Sequence, residues 1–455
     1  MTATLNSALH PAVAEFVSRD RQMLIGGEWV DAASGRTFAT HDPATGQVIT
    51  NVAHGDATDI DRAVAAARAA YEGPWGRMKP NERERLIWRV GDILSERAEL
   101  FGQLEALDNG KSVAIATAVD VNWSADVWRY NAGLVTKIKG SSITPSMPFA
   151  GPDAQFHAYT RRESLGVCGQ IIPWNFPILM ATWKLAPALA AGNTVVLKPA
   201  EQTPLSALML GQVFEEAGFP PGVVNVVTGF GDAGAALSAH MDVDKVAFTG
   251  STEVGKKIVQ AATGNLKKVS LELGGKSPNI VFADADIESA VAGSVAAWMF
   301  NHGQCCVAGT RLFVQRSIFD EFTQAVADAA SQAKIGPGLD PTTELGPLVS
   351  QEQFDRVSRY INEGLADGAR ALTGGKRWGD QGYFIEPTVF VDVKPEFSIV
   401  EEEIFGPVVA ALPFDDEDDV ARAANDSIYG LAAGIWTKDL SKAHRTAAKV
   451  QAGSV

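Results

Sequence analysis

Val167–Cys168–Gly169–Gln170–Ile171–Ile172–Pro173–Trp174–Asn175–Phe176–Pro177 is a short apolar run that breaks off in two prolines flanking Trp, Asn and Phe. Similar runs follow at Thr194–Lys198, Val223–Val227, Val246–Thr249 and Val269–Leu273, each of strand length and separated by helical candidates. The clearest of these helices takes Thr203 as its N-cap and Pro204 as its first residue, and it stops at Gly218. Repeated strand–helix–strand units of this length predict a parallel sheet covered on both faces. Ligands of such sheets sit at the carboxyl ends of the strands.

On the N-terminal side, Ile60, Ala63, Val64, Ala67 and Tyr71 share one face of a helix spanning Asp56 to Tyr71. A second helical block runs from about Asn81, with Glu84 in capping-box spacing, towards Leu107. Gly140 to Arg162 turns extended and rich in Ser, Pro and Gly, and Phe156–Thr160 reads as one strand of an exposed hairpin. On the C-terminal side a second α/β region starts near Ser277. Asp284 or Asp286 caps an Ala-rich helix that leads into Phe300–Asn301–His302–Gly303–Gln304–Cys305–Cys306. Ser317 and Asp320 open an amphipathic helix with Phe319, Phe322 and Val326 on its buried side.

The composition narrows the class. At 455 residues and 46% hydrophobic, the chain is long enough for about three domains and rich enough in apolar surface to fold. Its 39 Lys and Arg against 54 Asp and Glu give a net charge of −15, which argues against nucleic acid or an anionic membrane as partner. The acidic run 415–419 is a solvated turn leading into a helix. Three cysteines build no disulfide framework and indicate a reducing, cytoplasmic setting. Met1 to Phe16 lacks the pattern of a signal peptide. The uncharged stretches 164–183 and 289–310 are interrupted by Pro, Asn, His and Gln, so neither reads as a membrane span.

Several residues at these strand ends carry chemistry. Phe248–Thr249–Gly250–Ser251–Thr252–Glu253–Val254–Gly255 brackets a strand-to-helix turn with glycines, so backbone N–H groups and a helix start can face a pyrophosphate; a plain tight turn is the competing reading. Glu201, just past Lys198, can accept hydrogen bonds from a ribose diol and would repel a 2′-phosphate, which favours NAD over NADP. It can equally complement a helix dipole. Cys168 reads as a buried core residue, whereas Cys305–Cys306 follow polar Asn301, His302 and Gln304. A nucleophilic thiol there needs a lowered pKa, from backbone N–H groups or a bound nicotinamide cation, and His302 is placed as a possible base. Glu272 is the odd carboxylate of an apolar strand, either facing water at a sheet edge or serving as general base beside Gly274–Gly275. The seven histidines are scattered and no C-x-x-C occurs, so no metal site is expected.

Taken in order, Pro–Trp–Asn175–Phe–Pro, Lys198 with Glu201, Phe248–Thr249–Gly250–Ser251, Glu272–Leu273–Gly274–Gly275–Lys276–Ser277, Gly303–Gln304–Cys305–Cys306 and Glu403–Ile404–Phe405–Gly406–Pro407 resemble the NAD(P)-dependent aldehyde dehydrogenase superfamily over nearly the whole chain. The resemblance implies a Rossmann-type parallel-sheet cofactor domain over 1–139 and 166–274, an α/β catalytic domain over 275–455, and an oligomerisation hairpin over 140–165. It implies Cys306 as nucleophile, with Cys305 as a pocket neighbour, Asn175 as oxyanion donor and Glu272 as the activator of water. For the NAD cofactor it implies Ile172, Pro173, Trp174, Lys198, Glu201, Gly231, Phe248, Gly250, Ser251, Leu273, Glu403 and Phe405.

Within the superfamily, Arg129–Ile138 and Ala158–Glu163 are most similar to phenylacetaldehyde dehydrogenases. Phe176, Met180, Trp183, Phe300, Cys305 and Val307 would then line a pocket for an aromatic or medium-chain aldehyde. The competing enzyme reading is an acylating, CoA-dependent aldehyde dehydrogenase, against which the presence of Glu272 speaks. A Cys–His hydrolase would leave the cofactor turn unexplained. The chain stops at Val455, short of the family's final pocket loop and oligomerisation strand. The expectation is therefore a truncated sequence, a homo-oligomer if the natural protein completes it, or else a catalytically incomplete scaffold.

Overall fold

The computed structural model describes residues 9–455 apart from 152. The start of the N-terminal stretch, 1–8, and one residue inside the expected hairpin lie outside the described residues.

The five expected strands are present within a residue at each end: Val167–Ile171, Thr194–Lys198, Val224–Val226, Lys245–Thr249 and Lys268–Glu272. They run parallel in the order 268–272, 245–249, 167–171, 194–198, 224–226, and the antiparallel pair Met23–Ile25 and Glu28–Val30 extends the last edge. The central strands 167–171 and 194–198 are buried throughout, as helices on both faces require. Beside them, Lys268–Glu272 alternates in exposure along the open edge.

A second sheet takes the order 370–373, 388–391, 408–414, 311–315, 278–281, 434–436, and is parallel except for its first strand. The chain crosses from one sheet to the other through only a few residues between Glu272 and Pro278. The carboxyl end of the first sheet's edge strand is thereby placed beside the second sheet. A small antiparallel pair, Ser142–Ile143 with Ala158–Tyr159, forms within the expected hairpin and is exposed. Among the described residues, no helix is long and apolar enough to cross a membrane.

Caps show where local sequence suffices and where it does not. Asp56 caps helix 57–72 in a reciprocal box with Asp59, and Asp286 caps helix 287–299 by accepting the Ser289 N–H at 3.1 Å. Asp416, in the acidic run, caps helix 417–425. Three expectations need correction. The helix expected from Asn81 starts at Pro80, with the Glu82 carboxylate accepting the Lys79 N–H, and the block breaks at Arg97 into helices 80–96 and 98–109. The amphipathic helix starts at Phe319 after a short turn, so Ser317 caps nothing there and Asp320 lies inside the first turn. Thr203 does not cap the next helix either, which begins at Leu205; its first N–H donates to Asp108 Oδ2 at 2.9 Å. Asp108 comes from helix 98–109, a carboxylate that no local pattern could nominate. The predicted stop at Gly218, with φ 84°, holds.

Candidate active site

The first sheet presents Ile172–Pro173–Trp174–Asn175 where the buried strand 167–171 ends, and Pro177 then starts helix 177–190. The turn is held by side chains arriving from elsewhere. The Trp174 carbonyl accepts Asn109 Nδ2 at 2.8 Å and the Thr203 hydroxyl at 3.4 Å. The Asn175 carbonyl accepts Lys111 Nζ at 2.8 Å and Asn301 Nδ2 at 2.9 Å. The buried side-chain amide of Asn175 donates to the Gln304 carbonyl at 3.0 Å. Asn175 thus joins the first sheet to the loop that carries the paired cysteines.

That loop departs from helix 287–299 through three successive left-handed residues, Asn301 (φ 50°), His302 (φ 61°) and Gly303 (φ 70°). Two of them carry side chains, a conformation that costs on the order of 1 kcal/mol each. Compensation comes from Asn301, whose Nδ2 also donates to the Gln304 carbonyl at 3.1 Å, and from Gln304, whose Oε1 accepts the Val349 N–H at 3.0 Å. At Gly303 a Cβ would lie 2.0 Å from the Gly406 carbonyl oxygen, so only glycine lets the two loops meet. Cys305 ends up buried and Cys306 partly exposed.

The two neighbouring thiols influence each other's ionisation. The adjacent thiol lowers buried Cys305, whereas Cys305, burial and the nearby Glu403 carboxylate raise Cys306, the thiol a substrate can reach. The Cys306 backbone N–H acts the other way and lowers it. His302 is no base: its buried ring has its pKa pushed down to about 3 by burial and by Lys111, and it packs against Gly346 rather than reaching a sulfur. The Cys–His hydrolase reading loses its base with it.

Two carboxylates flank the loop in contrasting settings. Glu272 is exposed at the end of the edge strand, and its carbonyl accepts the Gly250 N–H at 3.1 Å, tying the Gly250–Ser251 turn to the same strand end. Lys184 is held down to about 8 by burial, with Glu272 opposing the shift, and its Nζ donates to Thr249 Oγ1 at 2.6 Å. Glu403 is drawn inward. Its Oε1 accepts the Gly275 N–H at 2.9 Å, and burial raises its pKa. A Cβ on Gly275 would sit 2.1 Å from the Cys306 carbonyl oxygen, so this glycine allows the strand-to-strand crossing to touch the cysteine loop.

Helix 351–366 holds the 403–405 segment: Arg356 Nη2 donates to the Glu403 carbonyl at 2.7 Å, and Gln353 Nε2 to the Phe405 carbonyl at 2.7 Å. Phe405, itself left-handed at φ 61°, meets the Trp174 ring edge-on at 5.1 Å.

The remaining strand ends carry the expected cofactor residues. Buried Lys198 pairs with Glu201 at 3.2 Å, and Ser251 caps helix 252–262 by accepting the Val254 N–H at 3.3 Å. Phe248 is buried under Gly250, and Leu273 packs on Gly255. Gly231 opens helix 231–239, and a Cβ there would meet open space. A cavity of about 380 Å³ opens here, lined among others by Glu201, Gln202, Phe230 and Ser350. Its size and its acidic edge fit part of a dinucleotide. Among the described residues no cluster of three or more His, Cys, Asp or Glu could hold a metal ion.

Of the expected pocket residues, Phe176 and Met180 are buried, and Phe176 stacks on Phe300 at 5.8 Å. Trp183 is exposed against Trp123, and Val307 is exposed beside the cysteines. The sequence reading overlooked Lys111, Asn109, Gln353 and Arg356, and gave Asn301 no role. The one local signal was the polar run Asp108–Asn109–Gly110–Lys111–Ser112 closing an amphipathic helical block.

The sequence profile of the aldehyde dehydrogenase family matches residues 29–455. The mitochondrial aldehyde dehydrogenase of Homo sapiens is 51% identical over 438 residues, covering 95% of this chain and 83% of the human protein. An aldehyde dehydrogenase of Alternaria alternata is 50% identical over 447 residues, covering 98% of this chain and 88% of its own. The solved NAD+ complex of an aldehyde dehydrogenase from Bacillus cereus superposes with a TM-score of 0.95 at 49% identity, over 98% of this chain and 90% of that one. An indole-3-acetaldehyde dehydrogenase of P. syringae, solved with NAD+ and IAA, superposes with a TM-score of 0.91 at 44% identity, over 95% and 88%. With family motifs at the strand ends, a reachable thiol in a constrained loop and this breadth of similarity, the chain belongs to the aldehyde dehydrogenase family.

Proposed function

We propose that the protein oxidises an aldehyde to a carboxylic acid with NAD, through a covalent intermediate on Cys306. The observation that carries this reading is the Asn175 side-chain amide bound to the Gln304 carbonyl, which sets a hydrogen-bond donor beside the cysteine loop. Cys306 Sγ, once deprotonated, adds to the aldehyde carbonyl. The oxygen that becomes negative is received by Asn175 Nδ2 and the Cys306 N–H, donors already fixed before the reaction. Bound beside Cys306, NAD would supply the hydride acceptor for oxidation of the thiohemiacetal to a thioester. Glu272, at an exposed strand end that water reaches, removes a proton from the water that hydrolyses the thioester. The exposure of that carboxylate supports hydrolysis over capture by CoA.

Lys198 and Glu201 would hold the adenine ribose, the Gly250–Ser251 turn and Gly231 the pyrophosphate region, and Glu403 with Phe405 the nicotinamide ribose and ring. On this reading the first sheet is the nucleotide-binding unit and the second the catalytic one, and the exposed hairpin is a contact between copies of the chain. Stacked Phe176 and Phe300, with Met180, support an aromatic or medium-chain aldehyde such as phenylacetaldehyde. A free pair of adjacent thiols suits the reducing cytoplasm. Mass spectrometry of a quenched reaction should find an acyl adduct on Cys306, and its absence would overturn the mechanism. An aldehyde panel with NAD and with NADP tests specificity; equal kcat/KM for short aliphatic and aromatic members would remove the aromatic assignment.

A further inference from the structure

Beneath the Asn175 turn lies a buried ionic cluster that the reaction does not use directly. Helix 98–109 buries Glu105 and Asp108, and each accepts the first free N–H of another helix: Ile178 N–H to Glu105 Oε1 at 3.1 Å, and Leu205 N–H to Asp108 Oδ2 at 2.9 Å. Lys111, 1% exposed, follows immediately. Its Nζ pairs with buried Asp120, lies 3.9 Å from Glu105 Oε2 and 4.4 Å from the centre of the Phe176 ring, and donates to the Asn175 carbonyl.

Burying a lysine against two acids is costly, and replacing such groups by apolar ones of similar size is often neutral or stabilising. Stability alone therefore gives a weak account of the cluster. Its geometry gives a stronger one. The Asn175 carbonyl receives two donors, Lys111 Nζ and Asn301 Nδ2, at 2.8 and 2.9 Å, so the backbone of this one residue is clamped from both sheets' elements. Its side-chain amide, in turn, carries the donor aimed at the cysteine loop. Donors that stabilise a developing oxyanion work only when placed to within a few tenths of an ångström, and that placement is what a doubly held carbonyl supplies.

We infer that Lys111, held between Asp120 and Glu105, is a positioning residue that acts with Asn301 to set the Asn175 side-chain amide for transition-state stabilisation at Cys306. The inference rests on the aldehyde-oxidising reading of the site. Phe176 connects the same lysine to the proposed aldehyde pocket, since its ring meets both Lys111 and Phe300.

The test is the pre-steady-state burst of NADH formation in the full chain, with NAD affinity measured in parallel. Lys111→Met should slow the burst by tenfold or more and leave NAD affinity within twofold. Asn301→Ala, which spares the buried ions, should slow it in the same sense and gives a second route if Lys111→Met fails to fold. Each should add less than twofold in an Asn175→Ala background, because the amide through which they act is gone. Full multiplication of the losses in that background, or a burst unchanged within twofold in both folded single variants, overturns the inference. Should Asn175→Ala itself leave the burst unchanged, the oxyanion reading of Asn175 fails instead, and this inference with it.

Discussion

The two walls of the cleft are made differently. On the wall formed by the first sheet, the cofactor residues sit at the ends of parallel strands, and their neighbours in sequence build their settings, the Asn175 turn excepted: Lys198 pairs with Glu201, and Ser251 caps its own helix. On the opposite wall, Cys306, Glu403 and Phe405 sit in loops with left-handed residues, and partners distant in sequence keep them in place: Gly275 for Glu403, Gln353 for Phe405, Asn175 for the cysteine loop. The first wall uses backbone geometry that a strand end offers for nothing extra. The second stores strain and spends long-range contacts to hold a reactive group that local preferences would not place there.

The sharpest way to break this contrast is at the thiol. Cys306→Ala should lower steady-state NADH production by about 10⁴-fold or more while NAD still binds with unchanged affinity, because only the second wall has been altered. Glu272→Gln should preserve the first burst of NADH but slow turnover by roughly 10²-fold or more, since it leaves acylation intact and removes the base for hydrolysis. Loss of the burst as well would give Glu272 an earlier role.

Gly275→Ala tests the long-range character of the second wall. Its new Cβ must move the Cys306 carbonyl, which lies 2.1 Å from that position, so the variant should lose about 1–3 kcal/mol in urea unfolding as well as activity. Glu201→Gln tests the local character of the first wall. NAD affinity should weaken about tenfold with the thermal midpoint nearly unchanged, the cost of replacing a hydrogen bond to a charged group.

The smallest effect concerns pH. Burial, partly offset by Lys111, raises Glu105 from the ordinary carboxylate range to about 7, so the folded protein favours the neutral acid. Its contribution to stability is complete below about 4.5, the range of an unfolded glutamate, and is lost as pH rises through about 7. Asp108 and Asp120, also raised by burial, act in the same direction. Glu105→Gln, which can still accept the Ile178 N–H, should flatten the fall of Tm between pH 5 and pH 8 by on the order of a few degrees.

The contrast also explains which parts of the molecule were legible in advance. The strand runs follow from apolar patterning within a few residues, and the Gly218 stop and the Asp286 cap from hydrogen bonds to near neighbours, and these stand where the pattern put them. Thr203 illustrates the opposite case. It is a good N-cap by type, yet its hydroxyl turns to the Trp174 carbonyl, and Asp108 from another helix serves the helix start. Lys111 and Asn301 could not be nominated as supports of Asn175, because nothing near them in the chain says which carbonyl they will meet.

The amino-acid order alone determined the alternating α/β plan, the turns at the strand ends and the residue types able to carry thiol, carboxylate and amide chemistry. Only the assembled tertiary structure decided that His302 is buried and neutral and that Cys306, not Cys305, is the reachable thiol. It alone also decided that Glu272 is open to water while Glu403 is drawn inward. The physical reason is range. Periodicity, caps and turns are settled by neighbours within a helical turn or a strand end, whereas burial and electrostatic potential sum over every group that folding brings within a few ångströms, whatever its place in the chain.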